Sequence, residues 1–453
     1  MSTSQNSPAT PGTTHGTTPG TAPDLDGPRT PSATTARERT VLAGGLAAVV
    51  TLLLSACADL AGAGADDPAV TGATASDTAS AGGDVREAAA RTPRLVLTDD
   101  HGVTVLDAET LEPVGDVAVD GFVRVNPAGD GRHVAVSTEG GFRLLDVGTW
   151  SEAHGDHAHH YVSDPALTDV TYPAEKPGHV VVHGGRTAFF DDGTGEVRVV
   201  DADHVAHGPD EADLVEAEHA HHGVAVERED GSLVLTLGTE EERTGIVLLD
   251  AEGAEVARDE TCPGVHGEAV AADETVVVGC QDGMLVVSGD TIRKVASPDA
   301  YGRMGNQAGH EESPIVLGDY KSDPDAELER PERVALVDTR DATLRLVDLP
   351  ASYSFRSLGR GPDGEALVLG TDGALHVIDA ATGEITRSID VVDAWTEPDD
   401  WQQPRPALHV RGELAYVTDP AGRAVHAVDL VTGDVWRTAE LGSVPNEITS
   451  VDG

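Results

Sequence analysis

Histidine is the residue type whose spacing in this chain could do chemistry. Of nineteen histidines, four fall within HGDHAHHY: His154, His157, His159 and His160. Five more, His204, His207, His219, His221 and His222, lie in HVAHGPDEADLVEAEHAHHG. Both runs interleave imidazoles with carboxylates, Asp156 in the first and Asp210, Glu211, Asp213, Glu216 and Glu218 in the second. Imidazole is largely neutral near pH 7 and so offers a lone pair to a metal, and a neighbouring carboxylate can ligate beside it or fix its tautomer. His-x-His on an extended segment places both rings on one face, about 7 Å apart along the chain, within chelating reach if the segment curls. The plainer alternative is a polar surface loop that happens to be rich in histidine.

The rest of the sequence narrows the chemistry. There is no Gly-x-Ser-x-Gly, His-Glu-x-x-His, phosphate loop or Cys-x-x-Cys, which removes the common signatures of hydrolases, zinc proteases, nucleotide enzymes and thiol redox sites. His310-Glu311-Glu312 lacks a second histidine, and His266-Gly267-Glu268 has no nucleophile beside it. Four tryptophans, two of them Trp395 and Trp401, give no repeated platform for a flat cofactor. A formal charge of -49 with only three lysines excludes a nucleic-acid groove, because phosphate binding needs clustered cations. Such acidity serves solubility and also gathers cations.

Apart from Cys57, the cysteines are Cys262 and Cys280. In an oxidising compartment they read as a disulfide pair, with two thiolate metal ligands as the rival reading. With thiolate spent on the disulfide and only three methionines present, an imidazole-rich site favours zinc, with nickel and copper(II) behind it.

The elements that would position these residues are strands. From Leu95 onward one pattern recurs: a β-rich run, a Gly/Asp turn, a second run ending in Leu-Asp or Val-Asp, then a turn and an exit strand. LVLTDDHGVTVLDAETLEPVGDVAV, ALVLGTDGALHVIDAATGEITRSIDVV and AYVTDPAGRAVHAVDLVTGDVWRTAEL are clear copies. Alternation with Asp-Gly or Thr-Gly turns is the hairpin signal, and a repeat of three or four strands predicts an all-β propeller, each sheet covering its faces with its neighbours. Units begin near Arg94, Phe122, His179, His222, Gly267, Pro314, Phe355 and Pro406. Eight blades of about 45 residues result, seven longer ones being the alternative. The segment Asn446 to Val451 is expected to pair with the first blade and close the ring.

In a propeller the first strand of each blade lines the channel, so residues just before those strands meet at one mouth. His179, His222 and His266 each precede such a strand, and the HGDHAHH segment is expected to enter the same region from the connection between blades. The first choice of ligands is His157, His159, His222 and His266, acting jointly. His179 and Asp191 are second candidates, and His154, His160, His219 and His221 complete the set. Each alone could be an ordinary turn histidine.

GDHAH (155–159), GHVVVHGGRTAFFDDGTGEV (178–197), HHGVAV (221–226) and CPGVHGEAV (262–270) together resemble the exported zinc metallochaperones called AztD. The likeness spans most of the repeat region. It implies a β-propeller that binds zinc and hands it to the solute-binding protein of a zinc ABC importer, without enzymatic activity. The chain departs from the family in its leader and in additional histidines at His160 and from His204 to His219. A scaffold or adhesion propeller with incidental metal binding is the competing expectation.

The N-terminal part reads as processing and tethering sequence. Residues 1–40 form a Ser/Thr/Pro/Gly-rich leader, expected to be disordered, with a basic patch at Arg37 and Arg39. Residues 41–57 form an apolar signal region ending in Leu54-Ser55-Ala56-Cys57, which resembles a lipoprotein processing box. Lipid on Cys57 would anchor the protein to the outer face of the cytoplasmic membrane. Residues 58–92 read as a flexible tether and 93–453 as the propeller.

Overall fold

The computed structural model describes residues 84–453. The expected leader, the signal region, Cys57 and most of the tether lie outside the described residues. Among the described residues no helix is long and apolar enough to cross a membrane.

Antiparallel strands dominate, arranged as successive sheets, most of them four-stranded with their strands in chain order. The third sheet, for example, runs Pro177–His183, Arg186–Asp191, Glu196–Asp201 and Asp213–Glu216, and the fourth begins at Ala225–Glu227. The fifth begins at His266–Ala271 and continues with Thr275–Cys280. Innermost strands of neighbouring sheets touch one another around most of the ring, the blade-on-blade arrangement of a β-propeller.

Period-two alternation builds this packing. In Thr275–Cys280, Val276, Val278 and Cys280 join a core shared with Val224, Val226 and Val234 of the preceding sheet. Val277 faces the other way, into a core with Val316, Ala335 and Val337 of the following sheet. Successive side chains leave opposite faces of a strand, so one run of valines seals two inter-blade layers. At about 25 cal/mol per Å² of apolar area removed from water, such burial is the main stabilising contribution.

The ring closes as expected from the tail. Ile448–Val451 pairs antiparallel with Arg94–Asp99, in a register that sets Val451 opposite Arg94 and Ile448 opposite Leu97. It is thus the inner strand of the first sheet. Leu95, Leu97 and Leu106 pack against Tyr416, Val425 and Ala427 of the last sheet, and the Tyr416 hydroxyl donates to the Ala108 carbonyl at 2.9 Å.

One element departs from the repeat. Between the third and fourth strands of the second sheet, Gly141–Asp146 and Ala166–Pro173, the chain inserts the hairpin Thr149–His154 and His157–Val162. Arg86–Ala88, within the stretch read as tether, adds a third strand to it. In an antiparallel blade, the entry to the first strand and the second-to-third turn lie at one end. The first-to-second and third-to-fourth turns lie at the other. The HGDHAHH segment therefore sits at the end opposite the entry positions of His179, His222 and His266. Its place is a third-to-fourth insertion inside a blade, where the sequence had suggested a connection between blades at their own mouth.

Candidate metal centre

Three consecutive blades deliver His179, His222 and His266 to one place. His179 lies early in Pro177–His183, His222 three residues before Ala225–Glu227, and His266 at the head of His266–Ala271. One ligand atom from each lies within 4.8 Å of the others. Ring centroids are 5.0 Å apart for His179 and His222, 5.0 Å for His222 and His266, and 5.6 Å for His179 and His266.

Outer partners fix how two of these rings are presented. His266 Nδ1 lies 2.5 Å from the Gly305 carbonyl oxygen; since a carbonyl can only accept, Nδ1 carries the proton and Nε2 the lone pair. His222 Nδ1 lies 2.5 Å from Asp192 Oδ2, so it too donates, and its Nε2 is the atom turned to the other rings. These two Nε2 atoms are 3.1 Å apart. Two ring nitrogens at that distance face a common point, where one cation can be held between or beside them. The donor set therefore suits a borderline divalent ion bound through Nε2, with Asp192 and the Gly305 carbonyl in the orienting role usual for ligating histidines.

Burial works against a proton on His179 and His266. Desolvation, followed by the neighbouring imidazoles His266 and His222, holds His179 well below the usual histidine range. Desolvation also lowers His266 to about 3, against the hydrogen bond to Gly305 and with help from His222. Glu268 Oε2 stands 3.6 Å from His179 Nδ1, and desolvation raises its carboxyl to about 7. At His179 and His266 a divalent ion thus finds ligands that need not first lose protons.

Local sequence explains the arrangement. Gly178 leaves room for Asp192, whose Oδ1 would be 2.1 Å from a Cβ at that position. Gly267 has φ of +69° and lies where the register slips between His266 and Glu268, a bulge that re-aims the side chain at the strand entrance. Cys262 and Cys280 are joined in a disulfide with a Cα separation of 4.9 Å, and the Met304 N–H donates to the Cys280 carbonyl. The bond thus braces both the turn carrying His266 and the segment carrying Gly305.

Asp191 is not among the converging groups. Its carboxylate accepts from the backbone N–H groups of Glu175, Lys176 and Gly193 and from the Thr194 hydroxyl at 2.8 to 2.9 Å. Burial works against its ionisation, but these bonds prevail and keep its pKa low. The carboxylate at the histidines belongs to its neighbour Asp192.

His154, His157 and His159 form a second, separate group with ligand atoms within 4.8 Å. Gly155-Asp156 makes a two-residue turn with Gly155 at φ of +66°, which sets His154 directly opposite His157 in the ladder. His159 follows two residues on, on the same face. His154 Nδ1 is 3.2 Å from His159 Nε2, and His159 Nδ1 is 2.7 Å from Glu87 Oε1, a partner supplied by the strand Arg86–Ala88. Trp150 anchors the hairpin, stacked on Tyr161 and under the Arg132 guanidinium at 3.9 Å.

The remaining candidates sit elsewhere. His160 turns to the reverse face and meets Ser151 Oγ at 2.7 Å. His221 is buried, with Nδ1 on the His219 carbonyl and Nε2 on Thr236 Oγ1, which is the environment of a core histidine. His219 is exposed and belongs to no ligand group among the described residues. Asp192, Glu268, Gly305 and Glu87 complete the surroundings, and sequence spacing alone did not single them out for this.

The chain is similar to the zinc chaperone AztD of Citrobacter koseri, with 28% identity over 310 residues, 66% of this chain and 71% of that protein. The crystal structure of Citrobacter koseri AztD superposes with a TM-score of 0.69 at 26% identity, covering 80% of this chain and 99% of that one. The apo form gives 0.68 at 25% identity, covering 80% and 98%. No protein-family profile matches the chain.

Proposed function

We propose that the protein is a zinc metallochaperone that works outside the cytoplasm, binds the ion through His179, His222 and His266, and passes it directly to the solute-binding protein of a zinc ABC importer. The observation that carries this reading is the convergence of three rings, with the Nε2 atoms of His222 and His266 3.1 Å apart. The similarity to a zinc chaperone over 66% of the chain supports zinc as the ion and delivery as the task.

The chemistry of delivery follows from exposure. His222 keeps 42% of its side-chain surface accessible, against 19% for His179. A partner's ligand arriving at the mouth can replace His222 first while His179 and His266 still hold the ion. A structural zinc closes its shell with protein ligands, whereas three imidazoles leave a fourth position for water or an incoming donor. The acidic surface raises the local concentration of cations, and a lipid at Cys57 would keep the protein near membrane importers.

The experiment mixes zinc-loaded protein with the zinc-free solute-binding protein, with and without a competing chelator. Direct delivery predicts transfer that is faster than spontaneous dissociation and that the chelator does not intercept. Transfer that stops when the chelator is present makes this protein a store that releases zinc to solution.

A further inference from the structure

A third cluster of ligating side chains lies in the third sheet. Its third-to-fourth connection is a 3-10 helix, Ala202–His207, followed by the 3-10 turn Pro209–Glu211. With three residues per turn, positions i and i+3 of a 3-10 helix eclipse one another. Ala202 and Val205 accordingly both face inward and are buried, and the Tyr172 hydroxyl ties down the Val205 carbonyl at 2.8 Å. The exposed positions are Asp203, His204, Ala206 and His207, and the two histidine rings stack with centroids 5.1 Å apart and planes 21° from parallel.

Gly208, at φ of +97°, and Pro209 then turn the chain back, bringing Glu211 Oε2 to 3.1 Å from His207 Nδ1 and 3.6 Å from His204 Nδ1. Asp201 Oδ2 is 3.8 Å from His204 Nδ1. One ligand atom each from His204, His207 and Glu211 lies within 4.8 Å of the others, and all three residues are exposed.

We infer that His204, His207 and Glu211 form a further binding site for a divalent zinc-class ion, distinct from the two histidine groups described above. Two imidazoles and one carboxylate are a sufficient protein ligand set for zinc, with the remaining position open to water. Exposure of every ligand makes the site shallow and readily exchanged. As a third-to-fourth connection, it lies at the same end of the propeller as the His154, His157 and His159 hairpin, one blade further along. The inference goes beyond the delivery reading, since such a site takes up zinc whether or not the protein passes zinc on.

The test titrates the full chain with zinc chloride in equilibrium dialysis, beside His204→Ala/His207→Ala and Glu211→Gln. The double variant is expected to bind one zinc fewer per chain, with Glu211→Gln weakened at the same step and the other steps unchanged. Equal stoichiometry and affinity in parent and variants overturn the site. A second measurement needs no variant: diethylpyrocarbonate modification of His204 and His207 in the parent, located by peptide mass spectrometry. Zinc is expected to slow modification of both residues, and equal rates with and without zinc count against the inference.

Discussion

Asp192 reaches across from the third sheet to hold His222 of the fourth, Oδ2 to Nδ1 at 2.5 Å. An orienting carboxylate on one blade and its ligand on the next make the site a property of the blade interface.

Replacing Asp192 by Asn should lower zinc affinity by roughly ten- to a hundredfold while leaving the fold intact, the usual cost of losing an orienting partner. Gly178→Ala should have a similar effect by a different route, since its Cβ would collide with Asp192 Oδ1. Competition titration against a zinc indicator measures both. Unchanged affinity in both variants means that Asp192 does not position His222.

The two main histidine groups lie at opposite ends of the propeller, so they should behave as independent sites. His222→Ala/His266→Ala and His157→Ala/His159→Ala should each remove one zinc per chain, and their combination should remove two, as expected for distant sites. If either pair abolishes both binding steps in dialysis, the ligands act jointly, as the sequence had suggested.

This separation shows what the sequence could and could not give. Alternation in runs such as Ala374–Ile378, after its Asp-Gly turn, made the strands and the propeller legible, and position before the inner strands was enough to bring His179, His222 and His266 to one mouth. The side of the ring on which HGDHAHH falls depends on counting strands within its blade, and the inserted hairpin disguised that count. Asp191 and Asp192 are adjacent and chemically identical, so only backbone direction in the turn decides which one meets His222. Glu87 joins His159 from a strand that composition marks as tether.

Reducing the Cys262–Cys280 disulfide should destabilise the propeller by about 3 kcal/mol, the chain-entropy value for a loop of this size. Because the bond braces the turn carrying His266, Cys262→Ser/Cys280→Ser should also loosen zinc at the three-histidine centre. Thermal unfolding and zinc competition with and without reductant test the two effects separately. Loss of zinc with no change in thermal stability would instead make the thiolates ligands.

Glu268 links the three-histidine centre to pH. Its folded pKa, near 7, is raised above the unfolded value of 4.5, so its stabilising contribution is present below about pH 4.5 and is lost as pH rises through 7. That loss is on the order of 3 kcal/mol for the zinc-free protein. Glu268→Gln should flatten this decline. His266, depressed from 6.5 to about 3, has the opposite sign, its contribution being lost as pH falls below 6.5 toward 3. Urea unfolding of the zinc-free protein from pH 5 to 8 separates them, and identical slopes for parent and Glu268→Gln exclude the carboxyl.

The strand Ile448–Val451 decides when the molecule becomes a ring. It pairs with Arg94–Asp99, so the first sheet lacks its inner member until residues 448–451 have been made. A chain emerging N-terminus first therefore passes through an open arc with a bare strand edge at Arg94–Asp99, the kind of edge that recruits a strand from another copy. The joining contacts are also among the most distant in sequence, which makes sealing a late event in folding. A nonsense mutation just before Ile448 leaves a clasp with nothing to fasten.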